Sequence, residues 1–252
     1  MKFSLIIPTF NSKKFIEKTI NSILLQNYPD FEVLIADGGS TDKTLEIVSK
    51  FNFIKIVSTS DNGQSDAINR AYKFACGEII AWQNSDDVYA PDCLKIVSSY
   101  FYHNPDIDCI YGDYNLIDES DILIRKCHSY NWNQFLFKVG RFVPLQPTFF
   151  WRKKVSDLIF PLDNTLKFCM DVDFIAKCDL VGFKFEYIAS HLGDFRMHTL
   201  SKTTDLKNTL SVIREHRKVL ISHYRYGFRE KFFLNYYLTR LFLIKLVLNF
   251  LA

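Results

Sequence analysis

The chain has 252 residues, 48% hydrophobic and 23% charged, with a net charge of +3. That length buries about 70–75% of the unfolded surface, and the apolar-to-charged balance is that of a soluble globular protein, which excludes a disordered chain and a polytopic membrane protein. From Arg214 to the end there are eight Lys/Arg against two Asp/Glu, so residues 1–213 carry −3 and lack the basic face of a nucleic-acid binder.

Aromatic residues make up 16%, enough for stacking surfaces that meet sugars and bases or for a Phe-rich core. The six cysteines (Cys76, Cys93, Cys109, Cys127, Cys169, Cys178) form no C-x-x-C pair and no zinc spacing, so they are expected as reduced core thiols. The N-terminal apolar run is too short for a signal peptide, and a cytoplasmic protein is expected.

Phe3 to Pro8 reads as a buried strand, followed by Asn11-Ser12 as an N-cap and by Phe15-Ile16, Ile20 and Ile23-Leu24 at helical spacing. The unit repeats. Phe31 to Ala36 is a strand ending at Asp37-Gly38-Gly39-Ser40, with Thr41-Asp42 capping a helix; Phe53 to Val57, Asp66 to Phe74 and Glu78 to Trp82 give strand, helix and strand. Four such alternations predict a mostly parallel sheet with helices on both faces. The polar clusters Thr9-Phe10-Asn11, Asp37-Gly38-Gly39, Ser60-Asp61-Asn62-Gly63 and Asn84-Ser85-Asp86-Asp87 all fall at the carboxyl ends of strands, where such sheets gather ligands. Beyond Pro91 come a helix (Cys93 to Tyr102), strands at Ile107 to Tyr111, Ile122 to Cys127, Pro144 to Phe150 and Phe183 to Ile188, and a helix at Met170 to Leu180.

Asp86-Asp87 suits a hard divalent cation shared with a phosphate, or a turn followed by a helix cap at Asp87. Asp37 with its two glycines suits a carboxylate facing a base N–H, or a plain capped turn. Asp171 and Asp173 open a helix with diverging carboxylates, which suits one facing a site while the other caps or faces water, or a plain helix cap. His198 suits a cation ligand, or an ordinary surface or core residue, and Arg196 or Lys202 can neutralise a diphosphate. There is neither a dinucleotide-type G-x-G-x-x-G nor a P-loop.

Together Ser4-Leu5-Ile6-Ile7-Pro8-Thr9-Phe10-Asn11, Leu34-Ile35-Ala36-Asp37-Gly38-Gly39-Ser40-Thr41-Asp42, Asp61-Asn62-Gly63-Gln64-Ser65-Asp66-Ala67-Ile68-Asn69 and Trp82-Gln83-Asn84-Ser85-Asp86-Asp87 resemble the family 2 glycosyltransferases of the GT-A fold. The resemblance covers residues 3–202. It implies an α/β Rossmann-like domain over 1–203, with a nucleotide-sugar half (1–102) and an acceptor half (103–203), then a basic helical extension over 204–252. It also implies inverting transfer from a nucleoside-diphosphate sugar, a UDP-sugar first, to a glycan or lipid-linked hydroxyl in polysaccharide assembly. Pro8, Thr9, Asn11 and Asp37 fall where the family holds base and ribose, and Asp66 and Asn69 near the ribose-phosphate side. Asn84 replaces the first aspartate of the D-x-D-type motif, leaving Asp86, with His198, for Mn²⁺ or Mg²⁺ and Asp87 as support or sugar contact; Arg196 would face the diphosphate. Met170-Asp171 resembles the acceptor motif with its Glu replaced, which makes Asp171 the base.

The tail from Lys231 to Ala252 has apolar runs too short to span about 30 Å of hydrocarbon. A basic helix with Tyr236, Tyr237 and Phe242 fits a membrane interface at the inner face of the cell membrane. A helix packed on the sheet, or on a second copy in a homo-oligomer, is the other reading. The functional alternatives are a noncatalytic nucleotide-sugar-binding protein, for which Asn84 argues, and a nucleotidyltransferase, which would need a Gly-rich basic loop after Pro8 that the sequence lacks.

Overall fold

The computed structural model describes residues 1–58, 61–199, 201 and 206–250, with the backbone alone at 58, 206, 207 and 241–250. The first half alternates as expected: β1 (Phe3–Thr9), α1 (Ile16–Leu24), β2 (Phe31–Asp37), α2 (Thr44–Val48), β3 (Ile54–Ser58), α3 (Gln64–Tyr72) and β4 (Ile79–Trp82). These strands lie in the order β3-β2-β1-β4, all parallel. The second half comprises β5 (Val88–Tyr89), α4 (Cys93–His103), β6 (Cys109–Ile117), β7 (Leu123–Cys127), α5 (Gln134–Lys138), a 3-10 turn at Gln146–Thr148, β8 (Phe150–Arg152), α6 (Lys153–Ile159), α7 (Met170–Val181), β9 (Phe185–Arg196), α8 (Leu206–His223) and α9 (Phe228–Phe250). It extends the same sheet: β8 runs antiparallel to β4 and β6, β9 is parallel to β6, and β5 closes antiparallel on β9. The result is a mixed α/β sheet with flanking helices.

The continuous apolar runs form strands because both faces are covered. All seven residues of β1 are buried, and alternate side chains enter different cores. Leu5 and Ile7 join Val33, Ile35, Ile16, Ile20, Leu94 and Val97 on one face. Ile6 joins Leu34, Ile80, Trp82, Ile68, Phe174 and Leu220 on the other. Each such Leu or Ile contributes roughly 1.5–3 kcal/mol, so shifting a strand by one residue would misplace a whole set.

Four expectations are corrected. Pro144 to Phe150 is not a strand: Pro147 has no amide for a ladder, Thr148 N bonds Leu145 O at 3.0 Å, and a 3-10 turn results before β8 begins at Phe150. The strand expected over Phe183 to Ile188 begins at Phe185 and runs on to Arg196, its register against β6 shifting around Gly112 and Asp113. Asp87 does not cap the following helix; Asp92 occupies the N-cap position of α4. Of the six cysteines, all free, Cys93, Cys109, Cys169 and Cys178 are buried, whereas Cys76 is exposed and Cys127 half-buried.

The C-terminal hairpin α8–α9 is packed on the sheet through its core. Leu220, Leu234 and Leu238 join the core that holds Trp82 and Phe174, Arg141 lies 5.0 Å above the Tyr237 ring, and Lys138 Nζ meets Glu230 at 3.2 Å. Among the described residues, no helix is long and apolar enough to cross a membrane. The side chains of Phe242 and Lys245 lie outside the described residues.

Candidate active site

The ends of β1 and β2 are tied by backbone and side chain. Gly38 N donates to Thr9 O at 2.9 Å, and Asp37, buried at the end of β2, accepts from Gly39 N and Ser40 N at 3.0 Å each through Oδ2. Asn11 adopts a left-handed conformation (φ 49°), its side-chain oxygen accepting from Thr41 N at 2.9 Å while its own amide donates to Ser40 Oγ. A β-carbon on Gly38 would sit 2.6 Å from an Asp61 carboxylate oxygen, so the missing side chain lets this loop approach. Pro8 and Thr9 are buried beneath it. Phe10, 63% exposed beside them, is an aromatic surface at the rim that the strand-and-cluster reading passed over; an exposed Phe flanked by two polar residues is the signal.

The run after β4 is held from within. Asp87 is buried, its carboxylate accepting from Arg196 N at 2.9 Å and Asn84 Nδ2 at 3.1 Å. Burial, then the adjacent Asp86 charge, pushes its carboxyl well above the usual range, against the pull of those two donors. Asn84 also accepts from Gln64 Nε2 at 3.1 Å, so its amide bridges α3 to the run, and Ser85 meets Ser12 at 2.7 Å. Asp87 is therefore a support of the loop.

Asp86 turns outward and meets His198 Nε2 at 2.8 Å, the imidazole lying against Phe15 with ring centroids 4.7 Å apart. One oxygen and one nitrogen donor suit Mn²⁺ or Mg²⁺ if a substrate diphosphate and water complete the shell. Among the described residues no three His, Cys, Asp or Glu side chains form a ligand set without substrate. Arg196, expected at a diphosphate, is fully buried: Nε donates to Asp86 O at 2.8 Å, Nη1 to Asp118 O at 3.0 Å and to the Asp121 carboxylate at 2.5 Å, and the guanidinium lies over Phe15. Its place is behind the run, fixing Asp86 and Asp87. Lys202 and Ser60 lie outside the described residues.

Asp171 opens α7, where Oδ1 accepts from Val172 N at 2.8 Å. It borders a narrow pocket walled by Trp82, Phe149, Trp151 and Phe174. These apolar walls push its carboxyl up to about 6, helped by the nearby Glu215 charge and opposed by backbone amides. Asp173 neither caps α7 nor faces water; it is buried, bonded to His223 at 2.6 Å and Lys177 at 2.8 Å.

The two α3 residues divide. Asp66 accepts from Arg70 Nη2 at 2.8 Å and Asn62 N at 3.1 Å, which lower its pKa and hold the turn into α3. Asn69 uses its amide on the loop before α7, donating to Leu162 O at 2.9 Å and accepting from Leu162 N at 2.7 Å. The structure thus gathers Thr9, Asn11, Asp37, Asn84, Asp86 and His198 on one rim, while Asn69 and Arg196 are turned into the protein.

Residues 4–154 match the model for glycosyl transferase family 2, a segment that ends before α7 and His198. A PGL/p-HBAD biosynthesis glycosyltransferase of Mycobacterium bovis is 30% identical over 188 residues, covering 70% of this chain and 69% of that protein. An uncharacterised glycosyltransferase of Nostoc sp. is 27% identical over 211 residues, covering 79% of this chain but 65% of its own length; for chondroitin synthase of Pasteurella multocida the values are 32% over 136 residues, 52% and 14%. The chain therefore spans less than two thirds of those two relatives. Among solved structures, S. aureus TarS in complex with UDP-GlcNAc superposes with a TM-score of 0.68 at 22% identity, covering 93% of this chain and 70% of that one. The mannosyltransferase PcManGT of Pyrobaculum calidifontis, in complex with GDP-Man and Mn²⁺, gives 0.69 at 16%, with coverage of 93% and 68%. The family match removes the support for a nucleotidyltransferase, and with more than half of its length matched the chain belongs to glycosyltransferase family 2 and has the GT-A fold.

Proposed function

We propose that this enzyme transfers a sugar from a nucleoside-diphosphate sugar, a UDP-sugar first, to a hydroxyl of a glycan or lipid-linked acceptor in polysaccharide assembly, with inversion. The observation that carries the reading is the contact between half-exposed Asp86 and the His198 imidazole, which is buried against Phe15, on the rim that also holds Asp37, with Asp171 at a separate apolar pocket. The ligands named for TarS and PcManGT support a nucleotide-sugar donor for this chain.

Thr9, Asn11 and Asp37, with Pro8 below and Asp66 holding the α3 turn, form the nucleotide side. Asp86 and His198 would hold Mn²⁺ or Mg²⁺, which when bound offsets charge on the departing diphosphate. Asp171 accepts the proton of the acceptor hydroxyl as the new glycosidic bond forms, a contribution on the order of 10²–10⁴-fold. Its apolar surroundings hold the carboxyl near 6, so the base stays ionised at neutral pH yet is stronger than an ordinary aspartate. With Asp171 acting as a base, the acceptor oxygen displaces the diphosphate in one step and the configuration is inverted. Asn84, spent on Gln64 and Asp87, is the feature that favours a binding protein without turnover.

A panel of nucleotide-sugars with Mn²⁺ or Mg²⁺, scored for transfer and slow donor hydrolysis, tests both readings. Turnover that Asp171→Asn abolishes supports the enzyme; donor binding without turnover, unchanged by Asp171→Asn, favours the binding protein.

For localisation we infer a cytoplasmic protein at the inner face of the membrane. Phe228, Phe232 and Tyr236, at spacing i, i+4, i+8 on α9, are 91%, 59% and 51% exposed, with Arg225, Arg229 and Lys231 exposed around them. Such an aromatic and cationic stripe suits an anionic lipid interface. Replacing the three aromatics with Ser should reduce sedimentation with phosphatidylglycerol vesicles; unchanged binding refutes it, and dimerisation lost instead would assign the stripe to a second copy.

A further inference from the structure

Glu215, in the middle of α8, reaches across to the chain entering α7. Its Oε1 accepts from the amides of Phe168 at 2.7 Å, Cys169 at 2.8 Å and Lys167 at 3.1 Å, and Oε2 also accepts from Lys167 at 3.1 Å. No side chain at Cys169, the N-cap position of α7, caps the helix. Amides at such a start need an acceptor, and a carboxylate there also faces the positive end of the helix. Two residues beyond Cys169 stands Asp171. At the far end of α8, His223 holds Asp173. One helix of the C-terminal extension therefore holds the chain on either side of Asp171, at the segment entering α7 and at Asp173.

We propose that Glu215 is the positioning residue of the general base: it sets the direction of the first turn of α7 and keeps a fixed negative charge beside Asp171. The inference rests on the reading of Asp171 as base and adds that the extension is part of the reaction machinery. An anchor made of four charge-assisted hydrogen bonds is more than α8 needs to pack, since Val219 and Leu220 already bury its apolar face. The groups around Asp171 leave Glu215 as the charge acting on it. Asp173 is paired with Lys177 and hydrogen-bonded to His223; on α3, Asp66 is paired with Arg70 and Ser65 faces Met170 Sδ at 3.5 Å; Trp82 and Trp151 from the sheet are uncharged; His216 is turned toward Gly140. The direction agrees with the raised carboxyl of Asp171, to which Glu215 contributes after burial.

The test compares wild type, Glu215→Gln, Glu215→Ala and Asp171→Asn in the full chain, with transfer measured from pH 4.5 to 8.5 and donor affinity measured by titration. Glu215→Gln keeps an acceptor for the amides and removes the charge, so the acidic limb of kcat should move to lower pH by about half a unit. Glu215→Ala removes the anchor and should lower kcat for transfer by on the order of 10²-fold, as a misplaced base does, while donor affinity changes less than twofold. Adding Glu215→Ala to Asp171→Asn should cost nothing further. A Glu215→Gln profile that superimposes on wild type overturns the proposal whatever Glu215→Ala does, and decides it alone if the alanine variant fails to fold. Transfer that survives Asp171→Asn instead overturns the assignment of the base, a separate failure.

Discussion

Replacing Asp171 with Asn should make the protein more stable at neutral pH, and the pH dependence of that gain is diagnostic. A carboxyl whose midpoint rises from 3.8 in the unfolded chain to about 6 in the fold penalises the ionised native state by about 3 kcal/mol. The side chain keeps part of its surface in water, which screens the penalty, so the working range is about 1–3 kcal/mol. Because the folded value is the higher one, the cost is absent below about pH 4, where both states are protonated; it grows through the interval up to 6 and is complete above about 7. Asn has the shape of the protonated acid and keeps an oxygen for Val172 N. Urea unfolding of both proteins from pH 4 to 8 should give curves that meet at the acid end and separate in favour of Asp171→Asn toward pH 8. A variant equal or inferior to wild type at pH 7.5, or a difference flat with pH, would refute the claim that apolar walls hold this carboxyl in a costly state.

Three further outcomes follow from the geometry. Arg196→Met keeps volume but loses the bonds to Asp86 O, Asp118 O and Asp121, and should cost about 3 kcal/mol in chemical denaturation while weakening donor turnover through a loosened Asp86. Gly193→Ala would set a β-carbon 2.7 Å from Pro147 O and 3.1 Å from Val88 O, both main chain, and should destabilise by roughly 1–3 kcal/mol in the same assay. His198→Ala should raise the Mn²⁺ concentration needed for half-maximal transfer by at least about tenfold, with the folded state intact by circular dichroism.

The strands of the first half were legible because burial on both faces leaves no alternative to continuous apolar sequence, as in Phe3 to Ile7 and Val33 to Ala36. Rim residues were legible for a related reason: a polar cluster at the end of such a run has only the sheet edge to occupy. What was not legible is what depends on distant partners. Arg196 reads as a free cation in the sequence, and only the convergence of Phe15, Asp118 and Asp121 turns it inward. Asp173 reads as a surface cap until His223, fifty residues on, arrives beside it. Glu215 carries no local signal, since a Glu inside a basic helix is ordinarily solvated. The 3-10 turn at Gln146–Thr148 was hidden by apolar neighbours, although Pro147 marked the place.

The pairing of β5 with β9 has a consequence for anyone recombining this enzyme with relatives. Val88 and Tyr89, immediately after Asp87, are zipped to Asp194 and Gly193, immediately before Arg196 and His198. Two stretches more than a hundred positions apart thus form one inheritable module, which a crossover between them would split. Chimeras should exchange 83–89 together with 185–198, or neither, because the first stretch grafted alone would bring Asp86 without the histidine and arginine that meet it.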